Sequence, residues 1–506
     1  MVTRINARKV AQTVGDNMKD VVNGTLGLSG ERMSKVDTAW LRMDSPSNLM
    51  MIVGVWVLQP GIGYDALCER VADRLLKYPR FGQRVVQDAA GATWVRDADF
   101  DIHRHVVIDR LPRKPRGREQ EALQDRLAEL AVTPLDKDRP LWQFHLVENY
   151  QGGSAMLVRI HHCIADGIAL IAVTQSLVDG GAAPPERRSR KPQREGLEAA
   201  EDWLTDTLLK PLTDVAVKAL DSAGSGAASA LDLLMEPQKG MEKGLAGSAD
   251  LARMAYQVLR DAAALALMPD DSTTRLKGIP GNTKRVAWCA PIPLDEVKAI
   301  GKALNCSVND VLLSCVAGAI AAYLRGHGDT VAGQEIRAMV PVNLRPLEQA
   351  YKLGNRFGLA PVVLPIGLDN PIERIYEVRR RMGELKGSMQ PLLAFGLLAV
   401  AGLLIKPAQD AMLNLFSRKT TAVMTNVPGP REKVRFLGAT VEQNLFWVPQ
   451  SGTVGLGVSI LSYGGGVQFG VITDGTLCPD PQKIIDGFAP EFAKLSLLTL
   501  MLPWGE

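Results

Sequence analysis

The stretch RIHHCIADG, Arg159 to Gly167, constrains this chain more than any other. Before it stands SAMLVRI, an apolar, strand-like run, and after it GIALIAVTQSLVD, apolar at helical spacing. A strand that ends in two histidines, bends and opens a helix on Gly167 presents one imidazole at a cleft. Successive strand side chains face opposite ways, so His161 and His162 cannot readily chelate one ion together. No third ligand stands at a zinc spacing, so no metal site is indicated. A histidine titrating near neutrality can instead take a proton from a hydroxyl or a thiol. Asp166 can fold back to fix the turn, through the loop backbone or a cation. A satisfied core histidine is the bland alternative, but two histidines plus Asp-Gly at this spacing weigh against it.

The rest of the chain narrows the field. With 506 residues, 46% of them hydrophobic and 22% charged, it can bury more than one core. A formal charge of +3 gives no footprint for nucleic acid. Six scattered cysteines without a Cys-x-x-Cys fit a reduced cytoplasmic setting better than a disulfide framework. No glycine-rich phosphate loop follows a strand, so no nucleotide site is indicated. PLLAFGLLAVAGLLI, Pro391 to Ile405, falls short of the roughly 20 residues that span a bilayer. It suits a buried helix, a wall for an apolar ligand, or a segment dipping into a membrane surface.

Four segments follow. Residues 1–35 form an N-terminal extension whose Val10, Val14, Met18 and Val21 suit a short surface helix, packed on the body or lying on an anionic membrane. Residues 36–180 read as α/β, with strands at Met50–Leu58, Trp142–Glu148 and before His161, and helices after Tyr64, Arg118 and Gly167. Residues 181–282 open on a basic linker and continue as alanine-rich amphipathic helices. From 283 to 506 a second α/β pattern runs, with helices in PLDEVKAIGKAL and VNDVLLSCVAGAIAAYLRGHG and a glycine-turned hairpin after Gly452. His103 and His105 would share a face if DIHRHVV were a strand, although an exposed pair of this kind is more often incidental. The basic loop Arg110–Arg118 is a solvated surface or a contact for phosphates.

His-His-x-x-x-Asp-Gly resembles the signature of the chloramphenicol-acetyltransferase-like acyltransferases. Further motifs sharpen the resemblance: PLDKDRPLW ending at Trp142, VNDV at Val308–Val311, PVNLR at Pro341–Arg345, GNRFG at Gly354–Gly358 and TNVPGP at Thr425–Pro430. In that order the set is similar to the bacterial wax ester synthase/diacylglycerol acyltransferase family, from about Met33 to the C-terminus.

The resemblance implies two similar α/β domains around a central substrate tunnel, joined by a helical linker. Acyl-CoA would enter from one side as co-substrate and a long-chain alcohol or diacylglycerol from the other, with no bound cofactor and no metal. His162 would be the general base, with His161 on the opposite face as packing or support. Asp166 would be the structural aspartate that pairs with an arginine, for which Arg345 is the candidate. Asn309 would polarise the reacting carbonyl or cap the helix that follows; the two readings stand level. Asp310 would be structural, Trp142 would pack near the cleft, and Asn426 would line the tunnel. Cys163, next to the base, should point away from the face His162 uses. The family often carries Met-His-Val-Gly where this chain has MMIVG, a departure that bears on acceptor preference and leaves the base in place.

The implied enzyme works on apolar substrates, hence in the cytoplasm, peripherally associated with the inner membrane or lipid inclusions. The sequence carries no signal for an oligomeric state. Two rivals stand beside it: a condensation-type enzyme fed by a carrier protein, for which no carrier domain adjoins, and a non-catalytic coat protein of lipid droplets.

Overall fold

The computed structural model describes residues 30–88, 91–112, 114–115, 117–182, 268–344, 353–385 and 406–501, with 390, 394, 398 and 401 between the last two. The expected N-terminal helix, the helical segment between the two α/β patterns and Arg345 lie outside the described residues.

Met51–Gln59 is buried along nearly its whole length, which explains why its sequence is continuously apolar rather than alternating. Ile52, Trp56 and Leu58 join one core with residues of the helices Tyr64–Arg74 and Gly167–Leu177. Val53, Val55 and Val57 face the other way, into a second core with Leu123 and Leu127 of the helix Glu119–Ala131. The strand is central to a six-stranded sheet in the order 435–436, 439–447, 51–59, 153–161, 142–150, 106–109. Two of these strands, Arg435–Phe436 and Ala439–Trp447, come from the C-terminal part of the chain, and the second pairs antiparallel with Met51–Gln59. A small sheet of residues 31–32, 91–96 and 83–88 flanks this half.

The second half is a seven-stranded mixed sheet. Ala422–Pro428 runs parallel to both Ile336–Asn343 and Leu456–Tyr463, and the latter pairs antiparallel with Gly466–Asp474. Gly464 and Gly465, at φ 59° and 80°, make the two-residue turn of that hairpin, where side chains with a Cβ are strained. The helices Leu294–Ala303, Val308–Gly326, Pro371–Leu385 and Gln482–Leu500 contribute to its core. A buried ion pair, Arg374 with Glu491, ties the last two together. Val308–Gly326 has the length and apolarity of a membrane span, but most of it is buried against this sheet and its helices. The halves are joined by the exchanged strands and by a shared core in which Leu123 and Leu127 meet Val286, Trp288 and Ile472.

Candidate active site

The strand Gly153–His161 ends where expected, and the chain bends through Cys163–Asp166 into the helix Gly167–Leu177. Asp166 caps that helix, its Oδ1 accepting from Ala169 N at 2.9 Å. Its Oδ2 accepts from the backbone N–H of Arg356 at 2.9 Å. The bend is further sewn to the second half by Gly354 N donating to the Ile164 carbonyl at 3.1 Å. Asp166 thus fixes the turn through backbone groups of both halves.

His162 is held by its main chain on two sides. Its N–H donates to the Met50 carbonyl at 2.7 Å, and its carbonyl accepts from Asn355 Nδ2 at 2.7 Å. Asn355 is anchored in turn by Asp37, whose Oδ1 accepts its side chain at 2.8 Å and its backbone N–H at 3.0 Å. Arg80 donates to Asp37 Oδ2 and to the Ile164 carbonyl, each at 3.1 Å, and lies over the ring of Trp94. Around the imidazole stand Trp40 and Phe357, with ring centroids 4.2 and 5.5 Å away. The ring is almost wholly buried, and Nδ1 has no hydrogen-bond partner among the described residues. Burial drives its pKa down to about 4, against weaker opposition from hydrogen bonds that include Asn355.

His161 faces away. Its Nδ1 accepts from Cys163 N at 3.2 Å, and its Nε2 lies 3.4 Å from Asp44 Oδ1, within ion-pair range but outside hydrogen-bond geometry. Asp44 also accepts from Met50 N at 2.7 Å. Burial raises the Asp44 pKa, yet His161 and Met50 together carry it below the ordinary carboxylate value. Cys163 is fully buried, and burial, with the nearby Asp37 charge, pushes its thiol well above the usual range. Such a thiol is a poor nucleophile.

A cavity of about 360 Å³ lies between the halves, in the size range of ligand clefts. Trp40, His162, Asp166 and Gly167 line it from the first half. From the second come Met339, Phe357, Phe416 and the run Thr425–Pro428, which includes Asn426. Of the apolar stretch Pro391–Ile405, three residues are described: Leu398 and Ala401 are buried, and Ala394 and Leu398 belong to the cavity wall.

Asn309 is not among the wall residues. Its Oδ1 accepts from Asn426 Nδ2 at 2.6 Å. Nor is it the helix cap, which is Ser307: the Ser307 hydroxyl accepts from Asp310 N, and the Asp310 carboxylate accepts from Ser307 N at 2.8 Å. Trp142 lies outside the cavity, donating from Nε1 to the Phe81 carbonyl at 2.8 Å. His103 and His105 do not share a strand face. Ile102–Arg104 is a short 3-10 turn, which leaves His103 exposed and His105 buried against Trp142. Among the described residues no cluster of three His, Cys, Asp or Glu side chains could hold a metal ion.

Trp40, Asp37, Asn355 and Asp44 are the site's neighbours that sequence reasoning missed. Ser34-x-x-Asp37 has the spacing of a helix capping box, and Ser34 does accept from Asp37 N, but the carboxylate turns inward to Asn355 and Arg80.

Two mixed α/β halves thus meet at a central cavity, and the His-His-x-x-x-Asp-Gly bend stands on its wall. The particular family follows from comparison with known proteins. Residues 33–312 match the wax ester synthase/diacylglycerol acyltransferase catalytic domain, and residues 353–496 match the WS/DGAT C-terminal domain. The chain belongs to this family of acyltransferases. A probable diacylglycerol O-acyltransferase of Mycobacterium tuberculosis is 27% identical over 474 residues, which cover 92% of this chain and 95% of the relative. A second, putative one from the same species is 27% identical over 489 residues, covering 92% and 96%. The wax ester synthase/diacylglycerol acyltransferase of Marinobacter aquaeolei VT8 has the same fold, with TM-score 0.61 and 19% identity over 93% of this chain and all of that one. The starter condensation domain of rhizomide synthetase, solved with C8-CoA and Leu-SNAC, shares it at TM-score 0.55 and 13% identity, over 95% and 96% of the two chains.

Proposed function

We propose that this enzyme transfers a long-chain acyl group from acyl-CoA to a long-chain alcohol or the free hydroxyl of diacylglycerol, with His162 as general base. The observation that carries this is the buried, neutral imidazole of His162 on the wall of a mainly apolar cavity. His162 takes the hydroxyl proton as the oxygen attacks the thioester carbonyl; the C–O bond forms, the C–S bond breaks, and the proton passes to the sulfur of departing CoA. A base held near pKa 4 does not keep a proton, so uptake from the alcohol and delivery to sulfur are close in time. Holding both substrates against one base converts a bimolecular encounter into an oriented one. Asn426, on the cavity wall, donates to the oxygen that gains charge, and Asn309 orients its amide. Asp166 and Asn355 keep the bend and the His162 backbone in place. The apolar substrates put the enzyme at the cytoplasmic face of the inner membrane or on lipid inclusions.

The test is a thiol-release assay with palmitoyl-CoA, offering hexadecanol and dioleoylglycerol separately, for the wild type and His162→Ala. Acceptor-dependent release, recovery of the ester and loss of both in the variant are expected. Folded wild-type protein that releases no thiol with either acceptor would exclude this reading, in favour of a carrier-bound donor or a non-catalytic lipid coat.

A further inference from the structure

A second, smaller cavity of about 90 Å³ lies between the helix Gly167–Leu177 and the six-stranded sheet. Its roof is that helix: Gly167, Leu170, Ile171, Thr174 and Leu177 recur at three- and four-residue intervals, the spacing of one helix face. From Gly167 to Leu177 the helix above it rises about 15 Å. Its floor is one face of the sheet, including Ile52 and Trp56 on one strand and Met156, Val158 and Ile160 on the next. The Trp56 indole N–H and the Thr174 hydroxyl at its edges are already engaged. Trp56 Nε1 donates to Asn444 Oδ1 at 2.9 Å, and the Thr174 hydroxyl donates to its own helix, at Leu170 O (2.9 Å) and Ile171 O (2.8 Å). The rest of the lining is mainly apolar and suits an apolar occupant.

This slot and the cavity containing His162 share two wall residues, Gly167 and Phe446. Gly167 is the last residue of the His-His-x-x-x-Asp-Gly bend, so the slot starts beside the reacting centre and leads away from it. A Cβ built on Gly167 would meet no atom within 4 Å, so the absent side chain leaves free space at the junction. Along the slot the helix offers Leu170, Ile171 and Thr174, and the sheet contributes Gly54, against which the Leu445–Phe446 backbone packs closely.

We propose that the slot beneath Gly167–Leu177 receives the far end of a substrate's alkyl chain and limits the chain length the enzyme accepts. This rests on the transfer reaction proposed above and names a subsite for it. The reacting carbonyl or hydroxyl stays beside His162, the chain passes between Gly167 and Phe446, and its terminal methylenes lie against Ile171, Thr174 and Trp56. Each methylene buried there adds favourable transfer free energy, and a chain too long for a cavity of about 90 Å³ gains nothing further. The occupant is an alkyl chain in either case; whether it belongs to the acyl group or the alcohol is decided by the arms of the test.

The full-length enzyme and Thr174→Phe are assayed with octanoyl-, lauroyl- and palmitoyl-CoA on one alcohol, and with octanol, dodecanol and hexadecanol on one acyl-CoA. The ratio of long-chain to short-chain kcat/KM should fall roughly tenfold or more in one series only, and that series identifies whose chain fills the slot. Equal losses across both series, or no change in either, overturn the proposal. A second measurement needs no variant. Wild-type protein is irradiated with a palmitoyl-CoA, or a hexadecanol, carrying a diazirine at the chain terminus, and the labelled peptides are mapped. Label on Gly167–Leu177 or on the strand bearing Trp56 supports the slot, and label confined to the other cavity overturns it. If the wild type turns over normally and depends on His162 while both slot tests fail, the subsite falls and the transfer reaction stands. No turnover at all removes the reaction itself.

Discussion

The indole of Trp40 lies flat against the imidazole of His162, with ring centroids 4.2 Å apart and planes 14° from parallel. The stack covers a ring face that water would otherwise reach, and this burial holds the His162 pKa near 4. A general base must be neutral to act, so wild-type kcat/KM should stay flat from about pH 8 down to about pH 5. In Trp40→Leu the ring is hydrated and its pKa climbs toward the ordinary value of about 6.5. The acid limb of the profile then moves up, and the ratio of activity at pH 8 to that at pH 5.5 should rise roughly tenfold. Superimposable profiles would show that Trp40 does not set the basicity of His162.

The same shift is a statement about stability. His162 titrates near 4 in the folded protein and near 6.5 in the unfolded chain, so between those values the unfolded chain binds a proton that the native ring refuses. The contribution is complete above about pH 6.5 and is lost as pH falls toward the folded value. At pH 5 the loss is about 2 kcal/mol. His105 and His145, also lowered by burial, titrate in the same direction, but they are common to wild type and His162→Gln and cancel in the comparison. Urea unfolding at pH 7.5 and pH 5 should therefore show the wild type losing about 2 kcal/mol more than His162→Gln. Equal losses would mean that the ring is hydrated in the native state.

Asn355 joins the Asp37 carboxylate to the His162 carbonyl, yet it is not a wall residue of the cavity. Its removal deprives a buried carboxylate of a donor, at a cost of about 2 kcal/mol. It also frees the backbone that aims the proposed base, His162. Asn355→Ala is expected to lower kcat by roughly 10- to 100-fold while KM moves less than about threefold, because orientation rather than binding is lost. Steady-state kinetics below the onset of unfolding provide the check. A rise in KM with kcat unchanged would place Asn355 in substrate binding instead.

The local parts of this site were legible in the sequence. The strand into His161, the turn fixed by Asp166 and the helix from Gly167 lie within one short window, where apolar period and turn chemistry act; that Asp166 does so as the helix cap came from the structure. The helix after Ser307 was legible too, although Asn309 reads equally as its cap or as a group polarising the carbonyl: Ser307 and Asp310 satisfy each other, and Asn309 is released to meet Asn426. What the sequence did not reveal is long-range. Asn355 reaches Asp37 across 318 residues, and Ala439–Trp447 pairs with Met51–Gln59 although it lies within the second α/β pattern. Apolar periodicity says which face of a strand is buried, not which strand lies beside it. Asp37 was hidden for a related reason, since three residues after Ser34 an aspartate reads as a cap partner.

In the proposed reaction Asn426 and Asn309 divide one task. Asn426 lines the cavity and donates to Asn309 Oδ1 at 2.6 Å, while Asn309 stands behind it on the first turn of Val308–Gly326. An amide nitrogen carries two N–H groups; one is spent on Asn309, and the other is available to an oxygen in the cavity. Removing that donor should cost about 100-fold in kcat, as loss of a single oxyanion donor does. If Asn309 acts only through Asn426, Asn309→Ala should cost less, about tenfold, by letting the Asn426 amide rotate. The decisive measurement is the double-mutant cycle. Asn426→Ala/Asn309→Ala should be about as slow as Asn426→Ala alone, because nothing remains for Asn309 to orient. Additive losses would mean that Asn309 reaches the substrate independently, and the oxyanion role would then be shared between the two side chains.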